Sequence, residues 1–267
     1  FYQDEIFTPL EMNNTFVYRR RYQPEEIKNY AQGYLYSDSL KRKILPDEKG
    51  KDFYCVYLDG IFGDGMVNST LQDLFKWDRA LYADTLVNEE DKKLVFASHQ
   101  TREGVDTGYG YGWFVKQDSL SGKIVSHSGG WAGYTTFIER HIDKDKTIIL
   151  LQNNRTKLTK VPLRNTRRIL YGQPVEVPFS LEKRILLRYV GDYDSGNGNV
   201  EKIDYEFDRL WSSNRFELQP ISPTKFKLVG FRPTVTFEFI LDSNENVEKL
   251  RIQQVETGLD EIAIRQK

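Results

Sequence analysis

Residues Lys123 to Asn154 contain three strand-length segments in close succession, KIVSHS, YTTFIERHI and KTIILLQNN. The polar link Asp143–Lys146 joins the last two as a turn. Strands joined this closely return antiparallel, because a parallel return needs a crossover of about a dozen residues. An antiparallel meander therefore sets the frame for this part of the chain. It starts further upstream, at TGYGYGWFVKQ, where Tyr111, Trp113 and Val115 alternate with Gly112, Phe114 and Lys116.

Helices are expected around this sheet. GDGMVNST (Gly63–Thr70) is a glycine-bearing loop feeding the first of them, and Ser69 stands at capping-box spacing from Gln72. Leu71, Leu74, Trp77 and Leu81 then form a core-facing stripe. A second helix follows Asn88 as its cap, with Glu89, Glu90 and Asp91 at the positive end of its dipole. A third spans Thr159 to Tyr171, with Pro162 near its start, Gly172 as a left-handed stop and Pro174 beyond.

After Pro178 the pattern changes to short strands with polar turns: RYVGDYDSG, KIDYEFDRLW, RFELQPI, KFKLVGF, TVTFEFILD, VEKLRIQQV and EIAIRQ. That spacing predicts a small all-β barrel or sandwich. The expected organisation is two domains, 1–175 and 180–267, with an extended linker near 173–182. The expected fold class is α+β, an antiparallel sheet with flanking helices followed by a small β-barrel.

Charge and cysteine usage exclude several functions. Lys+Arg number 38 and Asp+Glu 39, so nothing electrostatic favours a nucleic-acid partner. The runs Arg19–Arg21 and Lys41–Lys43 read as solvated faces. Cys55 is the only cysteine, which excludes an internal disulfide and a cysteine-based zinc site. The three histidines are not at metal-ligand spacing, so His99 and His141 read as surface or structural. Neither GDG nor GYG is followed by the Lys-Ser/Thr of a phosphate loop. No apolar run approaches the length that crosses a bilayer, and nothing argues for a cofactor.

Four blocks in order, IFTPLEMNNTF, GDGMVNSTLQDLFKWDRAL, YGYGWFV and SHSGGWAGYTTFIER…TIILLQNN, resemble the later part of the serine β-lactamase-like family. That family includes class C β-lactamases, D-alanyl-D-alanine carboxypeptidases and related esterases. The likeness covers residues 1 to about 172, and the tail resembles a small domain often appended to such proteins. The resemblance implies acyl transfer through a serine in a Ser-x-x-Lys motif, assisted by Tyr-x-Asn and by a strand motif Lys/His-Ser/Thr-Gly. His127, Ser128 and Gly129 match the third motif. By resemblance, His127 and Ser128 contact the substrate carboxylate or the proton relay, and the Gly130 N–H forms half of the oxyanion hole. A small-molecule or peptide substrate and a periplasmic or envelope location are implied.

The other two motifs are expected before the first block. Ser180–Lys183 and Ser222–Lys225 fit Ser-x-x-Lys but follow the HSG strand, which is the wrong order, and no Tyr-x-Asn precedes Gly63. Without a serine there is no covalent step. The chain is therefore expected to be the back half of a longer hydrolase, with an exposed sheet edge and apolar face that favour self-association. The alternative is a non-catalytic binding module on the same fold. Asp64 reads as a turn carboxylate, with substrate contact as the alternative; Tyr109 and Tyr111 read as sheet-packing residues or as the lining of a cleft; and Trp77 and Trp113 read as core.

Overall fold

The computed structural model describes every residue except 22–23, 62, 64, 156–161, 176, 231–232 and 267. The chain divides into two compact units, Phe1–Tyr171 and Gly172–Lys267. The first unit opens with a wide helical turn, Tyr2–Phe7, followed by β1 (Phe16–Val17), β2 (Tyr34–Ser37), β3 (Arg42–Ile44) and α1 (Tyr54–Tyr57). Next come β4 (Val67–Asn68), α2 (Leu71–Tyr82), α3 (Glu89–Val95) and β5 (Phe114–Asp118). It continues through β6 (Gly122–Trp131), β7 (Tyr134–His141), β8 (Lys146–Gln152), β9 (Asn154–Arg155) and α4 (Leu163–Leu170).

The expected meander is the main sheet, four antiparallel strands in the order β5-β6-β7-β8. Its register runs Val115, Val125, Arg140, Thr147 across the four. The polar link closes with Asp145 in the left-handed region at φ 45°, a conformation that short polar side chains tolerate.

Successive residues of a strand point to opposite faces, and β7 uses both to hold helices. Arg140 donates from Nε to Asp78 of α2 at 2.6 Å, with both side chains fully buried. Thr147 donates to the same carboxylate at 2.9 Å, and the Arg140 guanidinium lies over the rings of Tyr82 and Phe96. On the other face, Glu139 receives Arg167 of α4 from Nε at 2.6 Å and again from Nη2. His141 bridges Glu139 at 2.9 Å and the Tyr171 hydroxyl at 2.7 Å. The sheet is thus the middle of three layers, and its exposed large apolar side chains are Phe114 and Leu151.

Three expectations need correction. The cap of α2 is Thr70, whose hydroxyl accepts the Asp73 N–H, while Ser69 bonds Thr15 at 2.7 Å. The Leu stripe is only partly inward. Leu81 is buried but Leu71 is 49% exposed, and the helix buries Asp73 and Asp78 instead. These carboxylates are satisfied, Asp73 by the Asn14 N–H at 2.7 Å and the Thr15 hydroxyl at 2.9 Å, so burial does not leave them unpaired. Finally, the run Arg19–Arg21 is half-buried rather than solvated. Arg20 and Arg21 pair with Asp47, and the Arg21 N–H donates to the buried Asp59 at 2.7 Å. By contrast Lys41, Arg42 and Lys43 are exposed. Asn88 caps α3, accepting the Asp91 N–H at 2.9 Å. Pro162 stands at the start of α4, and Gly172 has φ 64°. The earlier helix start, Thr159 to Val161, lies outside the described residues.

In the second unit, α5 (Lys183–Arg188) precedes β10 (Gly191–Asp194), β11 (Val200–Glu206), β12 (Arg209–Trp211) and β13 (Glu217–Pro220). Then follow β14 (Lys225–Leu228), β15 (Thr236–Leu241), β16 (Val247–Gln254) and β17 (Leu259–Arg265). These eight strands close into a barrel in sequence order. Its inside is filled: Tyr189 stacks on Phe239 at 4.3 Å, and Phe226, Ile203, Leu210 and Leu250 complete the core. YVGDY has a physical role here. Tyr193, fully buried, donates to the Tyr189 carbonyl at 2.8 Å, and burial pushes its phenol up to about 12. Between the two tyrosines Gly191 takes φ 152°, with Arg265 too close for an easy side chain.

Candidate active site

Strand β5 pairs with β6 only from Gly122 to Ser126. Past that point β7 still pairs with β6 as far as Trp131, but the opposite edge has no strand partner among the described residues. Alternate N–H groups of a strand point to each side, so His127–Trp131 turns unpaired backbone donors toward an open side. His127, Ser128, Gly129 and Gly130 are all exposed. The pleat divides them, with His127 and Gly129 on one face and Ser128 and Gly130 on the other. Gly129 has no room for a side chain, since a Cβ there would lie 2.2 Å from Oγ1 of its cross-strand partner Thr136.

At one end of this stretch, the Tyr109 hydroxyl is 3.1 Å from Nε2 of His127. Phe114 stacks on the same imidazole at 5.8 Å and meets Tyr109 edge-on at 4.9 Å. At the other end Trp131 meets the ring of Tyr54 edge-on at 5.3 Å. The Arg155 guanidinium stands beside Gly130, where a Cβ would lie 3.4 Å from Nη1. Burial raises the Tyr54 phenol, against the opposing pull of Arg155. The following turn is pinned. Gly133 at φ 88° backs onto the main chain of Gly33 and Tyr34, and the Tyr134 hydroxyl donates to Ala31 O at 2.8 Å. Burial, with Tyr30 alongside, pushes that phenol far up.

Tyr109 and Arg155 are the neighbours that periodicity does not reveal. The glycines around Tyr109 in GYGYG were the available signal, because glycine on both sides of an aromatic marks tightly folded backbone. Arg155 carried no signal. Tyr111 is exposed and meets His99 edge-on at 5.0 Å, away from His127. His141 is a fully buried tie to Glu139 and Tyr171. Trp77 and Trp113 stack in the core at 6.0 Å. Asp64 lies outside the described residues.

Neither Ser-x-x-Lys string is built for catalysis. Ser222 accepts the Lys225 N–H in a turn, and Lys225 turns its ammonium to Glu238 at 3.3 Å. Ser180 and Lys183 are exposed. Among the described residues no group of three or more His, Cys, Asp or Glu is placed to hold a metal. This stretch offers an imidazole, a hydroxyl, backbone N–H groups and a nearby guanidinium, groups of the kind that can polarise and orient an acyl group.

The sequence profile of the Beta-lactamase family matches residues 1–173. The chain belongs to the β-lactamase family. It is 40% identical over 281 aligned residues to "Penicillin-binding protein 4*" of Bacillus subtilis (strain 168), covering 100% of this chain and 61% of that protein. Its fold is that of the octameric penicillin-binding protein homologue from Pyrococcus abyssi, with TM-score 0.58 at 21% identity over 98% of this chain and 59% of that one. This β-lactamase-family chain therefore spans about three fifths of the length of both relatives.

Proposed function

We propose that β6 is one wall of the acyl-transfer site of a serine hydrolase acting on a lactam, a peptide amide or an ester. The observation that carries this is the free edge of β6 between His127 and Trp131, where exposed glycines let an acyl group reach unpaired backbone donors. The Gly130 N–H stabilises the developing oxyanion, a contribution of about 3–4 kcal/mol for one such donor. His127 and Ser128 orient the substrate or pass its proton. The nucleophilic serine and its base come from a segment of the whole protein outside these 267 residues. Kinship with a penicillin-binding protein supports a cell-envelope location, and the octameric relative supports self-association.

The test uses the protein expressed from its complete coding sequence, treated with a labelled fluorophosphonate or penicillin. One serine upstream of Phe1 should take the label, and His127→Ala should slow labelling while leaving the circular dichroism unchanged. Absence of any labelled serine, or equal labelling rates in wild type and variant, would remove the wall from the mechanism.

A further inference from the structure

The backbone around Tyr109 is fixed more tightly than a sheet-packing tyrosine needs. The carbonyl of Tyr109 accepts the His99 N–H at 3.0 Å, and the carbonyl of Gly108 accepts the Val115 N–H at 2.8 Å. Gly110 donates to the Trp113 carbonyl at 2.8 Å and lies so close to the carbonyls of Val95 and Ala97 that a Cβ would come within 2.4 Å of one. These contacts aim one phenol at one imidazole nitrogen, and Phe114 stacked on the ring limits its rotation. Among the described residues Nδ1 of His127 has no hydrogen-bond partner, and the side chain is exposed.

We propose that Tyr109 is a positioning residue that fixes the tautomer of His127: its hydroxyl donates to Nε2, so Nδ1 carries the proton and is the donor presented to a ligand. This deepens the serine-hydrolase reading and rests on it for its purpose, though not for its measurement. A phenol is a stronger donor than an imidazole N–H, and a neutral imidazole nitrogen a stronger acceptor than a phenol oxygen, so the uncharged ring favours O–H···N over N–H···O. The nitrogen left over is a directed N–H donor. A lysine at this point of the motif would supply a mobile charge; the tyrosine-held histidine supplies one neutral donor of fixed direction.

The molecule contains its own reference. His141 faces the Glu139 carboxylate with Nε2 and the Tyr171 hydroxyl with Nδ1, so its uncharged form carries the proton on Nε2, the opposite tautomer. Two-bond 15N–1H spectra of the labelled 267-residue chain separate the two forms, and the chain has only three histidines to assign. They are recorded at about pH 8.5, well above the ordinary histidine range, with His127→Ala identifying the signal.

The expected wild-type result is Nδ1–H for His127 and Nε2–H for His141. Tyr109→Phe keeps the ring contacts and should move His127 toward Nε2–H while leaving His141 unchanged. An Nε2–H form of His127 in the wild type, or no change in Tyr109→Phe, overturns the proposal. In the complete protein, Tyr109→Phe should lower kcat about tenfold, the scale of one aligned hydrogen bond, with KM within about twofold. Equal kcat in both forms overturns the functional role. A complete protein that turns over neither a neutral ester nor a penicillin refutes the hydrolase reading instead, and the spectra still decide whether Tyr109 sets the tautomer.

Discussion

Replacing Asp78 with leucine should do more damage to the first unit than any surface change. Asp78 and Arg140 are both fully buried, 2.6 Å apart, and the same carboxylate also serves Thr147 and Arg79. Asp78→Leu strands the Arg140 charge between β7 and α2 with no counter-ion. Removing one partner of a buried pair costs about 3–5 kcal/mol, whereas replacing both with apolar groups is often neutral. At a urea dependence of about 3 kcal/mol/M, the midpoint falls by about 1 M or more. Tryptophan fluorescence reports this well, because Trp77, Trp113 and Trp131 lie in the first unit and only Trp211 in the second. The double variant Asp78→Leu/Arg140→Met should recover most of the loss. A single-variant shift of under about 0.3 M, equivalent to less than about 1 kcal/mol, would refute the pair as the main tie between sheet and helix. A double variant no better than the single would show that lost volume, not a stranded charge, was the cause.

Gly129→Ala should destabilise by about 1–3 kcal/mol through overpacking against Thr136, and adding Thr136→Ala should restore much of the urea midpoint. Burial alone would raise the Glu139 carboxyl, but Arg167 bonded to both oxygens, and His141 beside it, hold it below its ordinary value. A carboxyl lowered in the folded state contributes stability above its ordinary value and loses it as pH falls through the lowered one. Arg167→Met should therefore move acid unfolding, followed by circular dichroism, to higher pH; an unmoved midpoint would show that the pair contributes nothing. Burial foremost raises the Cys55 thiol, with Arg21 opposing, and the residue is fully enclosed. A disulfide reagent should label it only after unfolding, and rapid native labelling would contradict that enclosure.

The main sheet was legible because β6, β7 and β8 are strand-length segments joined by short turns, so local chemistry and long-range pairing agree. The barrel was legible for the same reason. The inward face of α2 was not, because hydrophobic periodicity cannot register Asp73 and Asp78, whose burial depends on partners 58 or more residues away. Arg19–Arg21 misled in the same way, since their acids at Asp47 and Asp59 are remote in sequence. The exposed run His127–Gly130 could be named from the HSG motif, but its free edge depends on where β5 stops pairing, which no residue in the motif encodes. Tyr109 was visible as an aromatic among glycines that could pack the sheet or line a cleft, but its pairing with His127 was not.

In the barrel, β10 pairs with β17, Tyr193 opposite Arg265. The first and last strands of the barrel are therefore neighbours, and the start of β10 lies beside the end of β17 on one seam. The barrel should survive being cut from the chain, spliced into a loop of another protein, or reopened at a different hairpin with its old ends fused, because none of these operations asks a strand to change partners.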